Sequence, residues 1–262
     1  MVIMPRDNAA FLIGSTIFRS MDVIRRDPVE PSSSVIAMNP VKPLAEFIGT
    51  FGLALTIGMA GLEPGSAGAW APAVIALVLT ILILLFARVS GSHFNPVVTL
   101  ALVWRGDCRW HDAIPYMIVQ VVAATAGGLL AITIKDAMTA GELVVTPMEL
   151  VILPSVLWEA LFAYALVHVT FIITPLGGHP NPRWLHVAIG VTVLVGAYLA
   201  GPVSGAAFNP AVTVGLVVMG VMGVADAWIH FAGQLAGGLV GVAVGTPLLL
   251  RRIRRFETPD GD

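Results

Sequence analysis

The sequence predicts an all-α membrane protein: six transmembrane helices plus two re-entrant half-helices, arranged as an inverted repeat. Three observations predict it. Hydrophobic residues make up 57% of the chain and charged residues 11%, with a mean hydropathy of +0.88, whereas a soluble globular domain carries roughly 25% charged residues. Several apolar stretches reach the roughly 20 residues that a helix needs to cross the ~30 Å hydrocarbon core. A fourteen-residue segment is also written twice. The net charge of −2 is close to neutral and offers no basic footprint for nucleic acid. Cys108 is the single cysteine, which excludes an intramolecular disulfide framework and any cysteine-rich metal site.

Taken in order, the spans fall at 43–62, 72–89, 113–134, 150–173, 185–202 and 226–250. Glycine interrupts them more often than charge does, as is common in membrane bundles. The basic residues then sort by side. Arg6, Arg19, Arg25, Arg26 and Lys42 precede the first span; Arg88, Arg105 and Arg109 lie between the second and third. Arg183 follows the fourth, and Arg251, Arg252, Arg254 and Arg255 follow the sixth, leaving Lys135 alone on the opposite side. The positive-inside rule therefore puts both termini in the cytoplasm, which an even number of spans requires. Residues 1–42 read as a cytoplasmic N-terminal tail, because their one apolar run (9–18) is too short to span and lacks the basic leader of a cleavable signal. Met21 and Met38 are alternative translation starts, since the first span begins only near Pro43. Residues 251–262 form a cytoplasmic C-terminal tail whose RRIRR run (251–255) anchors at lipid headgroups.

The repeat fixes the architecture. A shift of 114 residues lays SGSHFNPVVTLALV (90–103) on SGAAFNPAVTVGLV (204–217), with nine of fourteen positions identical. The same shift puts Gln120 on Gln234, and a shift of 113 puts Glu46 on Glu159. The halves are 43–134 and 150–250. Three spans per half is an odd number, so the halves enter the membrane in opposite orientations, as in many transport proteins. After each Ser-Gly comes Asn-Pro and an apolar segment too short to cross. Asn is a strong N-cap and Pro is favoured at the first helical position, so Asn95-Pro96 and Asn209-Pro210 each start a half-helix at membrane depth. Their N-termini meet near the midplane, each carrying roughly +0.5 of an elementary charge. Each Asn oxygen caps its helix while its NH₂ stays free to donate to something passing through.

These residues resemble the major intrinsic protein family, the aquaporins and glycerol facilitators. The matching motifs are the paired boxes Asn95-Pro96-Val97 and Asn209-Pro210-Ala211, with AEFIGTF (45–51), SGSHFNPVVT (90–99), the Gln120 region and SGAAFNPA (204–211) around them. Asn39-Pro40 and Asn181-Pro182 are decoys without the Ser-Gly lead-in. The resemblance covers 43–250 as an aquaporin-like channel domain. It implies a passive channel for water or small uncharged solutes, one pore per subunit, in a homotetramer in the plasma (inner) membrane. It makes Asn95 and Asn209 midpore donors, Glu46 and Glu159 buried braces, and His93 a residue of the cytoplasmic vestibule.

One departure bears on selectivity. The family normally has Arg directly after the second box, and this chain has Val212. Spacing from the boxes places the other constriction positions at Ile75, Ala197 and Ala206. Together the four offer no charge, no side-chain donor and little volume. Exclusion of cations then rests on the half-helix termini, and the aperture is wider and more apolar than in a strict water channel. The expected solutes are neutral and larger than water: glycerol, urea, hydrogen peroxide, ammonia or neutral metalloid acids. The alternatives are a water-selective channel and an ion-coupled secondary transporter, in which Glu46 and Glu159 would relay protons. The repeat-related pairing of the two Glu favours the brace. Val97, larger than the usual Ala, reads as packed away from the lumen. Gly233, Gly237, Gly241 and Gly245 read as a close-packing face within the subunit. No metal or cofactor is expected, since no two histidines share ligand spacing, and no catalytic motif marks an enzyme.

Overall fold

The structure is a computed structural model that describes residues 39–174 and 183–257, with side chains described as far as Thr246. Residues 1–38 of the expected N-terminal tail, the Asn181-Pro182 decoy and residues 258–262 lie outside the described residues, as do the side chains of Arg183 and 251–255; the last two residues of that expected tail, Val41 and Lys42, begin the first helix. The helices are α1 (Val41–Gly61), α2 (Ala71–Phe86), α3 (Pro96–Arg105), α4 (Trp110–Met138), α5 (Ile152–Ile173), α6 (Val187–Ser204), α7 (Pro210–Val218) and α8 (Ala227–Glu257). Six segments are long and apolar enough to cross a membrane, and α3 and α7 are the half-helices. Among the described residues there is no strand. The protein is an integral membrane protein of six spans and two half-helices.

Small residues set the packing. A Cβ built on Gly127 of α4 would lie 2.6 Å from the Phe51 carbonyl of α1, and one on Gly58 would lie 2.4 Å from the Ala131 Cβ. Along α8, Cβ atoms on Gly233, Gly237, Gly241 and Gly245 would meet Val156, Ala160, Val167 and Phe171 of α5 at 2.6, 2.0, 2.7 and 2.8 Å. The glycine face therefore packs within the subunit, where it lets the helix backbones touch. In both pairs the contact numbers rise together, so α1 and α4 run parallel, and so do α5 and α8. A parallel pair needs one full crossing between its members. In the first half α2 supplies it and α3 dips in and returns; in the second, α6 and α7 do the same. We call the membrane face where α1 begins and α8 ends the near face, and the opposite one the far face.

Two basic residues read as loop charges are inside the bundle instead. Arg105 ends α3 at 7% exposure, with its guanidinium over the Phe171 ring at 4.2 Å. It donates to the carbonyls of Phe171 (2.9 Å) and Thr174 (3.3 Å) at the end of α5 and pairs with Asp107. Lys135, near the end of α4, is fully buried and donates to the carbonyls of Met59 (2.9 Å) and Pro64 (2.7 Å) at the end of α1. Each cation thus caps the C-terminus of the first helix of one half, where the last carbonyls lack partners and the dipole is negative.

Candidate functional site: a two-fold pore lining

Both Asn-Pro boxes cap as the sequence predicts. Asn95 Oδ1 accepts from the Val97 N–H at 2.9 Å, and Asn209 Oδ1 from the Ala211 N–H at 2.9 Å and the Val212 N–H at 3.4 Å. The side-chain amides are not wholly free, however. Asn95 Nδ2 donates to the Phe208 carbonyl at 3.0 Å, and Asn209 Nδ2 to the Phe94 carbonyl at 2.8 Å. The half-helices are stitched tip to tip by this crossed pair, which uses one of the two N–H groups of each amide.

The loops leading into the boxes have a shared backbone shape. Ser92 and Phe94 sit at φ 51° and 46°, and Ala206 and Phe208 at 52° and 50°. Left-handed backbone at non-glycine residues costs on the order of 1–3 kcal/mol each and persists only where the surroundings enforce it. One carboxylate per half does so. Glu46 Oε1 accepts from Ser90 Oγ (2.6 Å) and the His93 N–H (3.0 Å), while Oε2 accepts from the Phe94 N–H (2.7 Å) and Gln120 Nε2 (2.9 Å). Glu159 takes Ser204 Oγ (2.8 Å), the Ala207 N–H (3.0 Å), the Phe208 N–H (2.7 Å) and Gln234 Nε2 (2.8 Å) in the same arrangement. Both carboxylates are fully buried. They collect amide groups that have no helical partner.

Sequence reasoning paired Gln120 with Gln234 as hydrogen-bonding residues but missed the Ser, Thr, Tyr and His partners around this core. Gln120 and Gln234 also reach Thr99 Oγ1 (3.2 Å) and Thr213 Oγ1 (2.9 Å) of the half-helices. Tyr116 donates to the Ser90 carbonyl at 2.9 Å. Its repeat partner, 114 residues on, is His230, fully buried and bonded through Nδ1 to Thr213 Oγ1 at 3.3 Å. His230 therefore belongs to the brace. His168 stacks on Tyr164 at 5.6 Å. The recurrence of Ser90, Thr99 and Gln120 at Ser204, Thr213 and Gln234 was the available signal for the brace partners.

A cavity of about 760 Å³ runs along the bundle, lined from Glu63 and Val144 at the far end to Asp107 and His186 at the near end. Asn95, Asn209, His93, Ile75, Ala197, Ala206 and Val212 all line it. Pro96, Val97, Pro210 and Ala211 do not. Val97 is 3% exposed and fills the space beside Gly238, where a Cβ would meet its Cγ1 at 2.6 Å. His93 is half-buried, with Nδ1 3.2 Å from Thr99 Oγ1 and its ring edge-on to Tyr116. Among the described residues, no three His, Cys, Asp or Glu side chains gather as metal ligands would.

Comparison with known proteins agrees with this geometry. The family profile described as "Major intrinsic protein" matches residues 36–177 and 176–255. The chain is 32% identical over 210 residues to aquaporin NIP1-4 of Oryza sativa subsp. japonica, covering 76% of this chain and 73% of that one. It is 28% identical over 227 residues to aquaporin Z of Brucella melitensis biotype 1, covering 79% of this chain and 97% of that one. Among solved structures, the aquaglyceroporin from Plasmodium falciparum has the same fold at a TM-score of 0.67 and 18% identity, covering 80% of this chain and 98% of that one.

Proposed function

The chain belongs to the major intrinsic protein family, and from that premise we propose that it is a passive transmembrane channel for water and small uncharged solutes, with a wide apolar constriction that favours solutes larger than water. The candidates are glycerol, urea, hydrogen peroxide, ammonia and neutral metalloid acids. The observation that carries the preference is the lining near the far mouth. Ile75, Ala197, Ala206 and Val212 face one cavity and bring neither charge nor side-chain donor. A solute passing there has only backbone groups and apolar surface to meet, so strict selection for water through side-chain hydrogen bonds has no basis at these positions.

Cation exclusion falls to the opposed N-termini of α3 and α7. Their partial positive charges and the spare Asn95 and Asn209 N–H groups face whatever crosses the midplane. The two Glu act as symmetric braces, each saturated by donors of its own half, and the channel needs no ion gradient and no catalysis. The near face is cytoplasmic, the membrane is the plasma (inner) membrane, and four copies assemble with a pore in each.

Stopped-flow light scattering on proteoliposomes, run with water, glycerol and urea gradients on one preparation, tests this reading. The expected result is rapid glycerol or urea flux that ignores proton and sodium gradients. Flux of water alone would remove the solute preference, and dependence on an ion gradient would remove the passive mechanism.

A further inference from the structure

The repeat makes a statement about the far constriction that extends to the opposite side of the pore. A shift of 114 residues carries Ile75 to Ile189, and carries Ala197, Ala206 and Val212 back to Ile83, Ser92 and Val98. All four counterparts line the same cavity as the originals. They come from α2, the first re-entrant loop, α3 and α6, which are the near-side equivalents of the elements that form the far constriction. We propose that Ile83, Ser92, Val98 and Ile189 form a second apolar collar on the near side of the Asn pair, tighter than the first, and that Ile83 sets the upper size limit for solutes. The inference rests on the channel reading above.

The two collars are not equal in volume. Where the far collar has Ala197, the near one has Ile83, three carbon atoms larger; where the far one has Ala206, the near one has Ser92. Exposure follows the same order. Ile83, Ser92 and Val98 are 2%, 5% and 7% exposed, while Ile189 is partly buried. On the far side Val212 is buried, but Ile75, Ala197 and Ala206 are only partly so. Two of the near residues meet directly. Ser92 Oγ donates to the Ile83 carbonyl at 3.2 Å, which ties the loop to α2 there and commits the hydroxyl hydrogen to that carbonyl.

Two features prevent this collar from yielding. A Cβ on Gly190, beside Ile189, would stand 1.8 Å from Thr80 Oγ1 and 3.1 Å from the Ala76 carbonyl of α2, so α6 is packed closely on α2 within two turns of Ile83. Ile83 is held in a cluster with Leu53, Leu79 and Phe94, and its β-branch leaves few rotamers. A narrow ring of this kind discriminates by diameter and by resistance to wetting. The absence of the constriction Arg then loosens a site that is not the narrowest one.

The test is flux through Ile83→Ala, which copies the far collar onto the near side, and through Ala197→Ile, which does the reverse. Water, urea, glycerol and the larger polyol erythritol are measured in proteoliposomes. The expected result is a severalfold gain in glycerol and erythritol flux for Ile83→Ala with water changing less, and little further loss for Ala197→Ile. Unchanged flux of every solute in Ile83→Ala, with Ala197→Ile cutting urea and glycerol sharply, would place the limit on the far side and overturn the proposal. Ile83→Val removes one methyl group and serves if the Ala variant does not assemble; it must still raise glycerol flux, and no change would count against the collar. The two readings fail differently. A wild-type protein that passes only water, while Ile83→Ala admits urea, refutes the solute preference and supports the collar. Wild-type urea and glycerol flux, with no solute's flux raised by Ile83→Ala, does the opposite.

Discussion

Phe94 and Phe208 sit at positive φ in loops whose N–H groups have no helical partner, and in each half one carboxylate collects those groups. The Glu pair was legible from the 113-residue spacing and from the cost of an ionisable group inside a span. The left-handed backbone was not, because neither Phe nor Ala announces it; the tertiary bonds to Glu impose it. Replacing Glu46 or Glu159 with Gln turns an acceptor oxygen into a donor facing other donors, and each stranded buried group costs about 1–3 kcal/mol. Thermal unfolding in detergent should show both variants destabilised by similar amounts, since their partners match bond for bond. If one variant kept its stability while flux acquired a dependence on pH, that Glu would be a relay and not a brace. The half-helix caps were readable because Asn-Pro carries its own geometry, but the crossed bonds between Asn95 and Asn209 and the opposite loops needed the fold.

At the scale of elements, the spans were read from hydropathy, and their ends moved by a few residues. The fourth runs Ile152–Ile173 where 150–173 was expected; the third extends to Trp110–Met138 from 113–134. The extension is where Lys135 matters. A charge ends a hydropathy window, yet here it is folded in, because the carbonyls at the end of α1 accept it. Arg105 does the same for α5, and its repeat counterpart is Met219, whose sulfur lies near Gly58, itself the counterpart of the Phe171 on which Arg105 stacks. Small and large residues exchange places across the repeat, so the two halves pack differently on one plan. The glycine face of α8 was predicted from spacing alone and can be tested. Gly237→Ala drives a methyl group into the Ala160 carbonyl 2.0 Å away, which should cost at least about 1–3 kcal/mol as an overpacked contact. Gly61→Ala meets nothing within 4 Å and should be neutral or stabilising by up to about 1 kcal/mol. Equal melting temperatures for the two variants would contradict the α5–α8 contact.

For the whole molecule, the duplicated boxes give both the inverted topology and the axis on which the cavity lies. Direction across the membrane is expected from charge: among the described residues Lys42, Arg88, Arg105 and Arg109 fall on the near side and Lys135 on the far side. Cys108, between α3 and α4, reports it. Burial, and then the nearby Asp112 and Glu46, push its thiol up to about 11, so the reactive thiolate is scarce at neutral pH and grows as pH rises toward that value. A membrane-impermeant maleimide should label Cys108 only from the cytoplasmic side, slowly at neutral pH and faster in alkaline buffer; labelling from outside would invert the topology. What could not be read was where the pore is narrowest, since that depends on how closely α2 approaches α6 at Gly190 and on which side chains the cavity leaves room for.

The most direct test of the Arg-less constriction is urea and water flux through wild-type protein and Val212→Arg in matched proteoliposomes. The buried Val212 position lines the cavity beside Ala197 and Ala206, so an Arg side chain there must fill the aperture and add a fixed positive charge. The expected result is a steep fall in urea flux with water flux retained. Unchanged uptake of both solutes would mean that Val212 does not face the conduction path, and that the solute preference is set elsewhere.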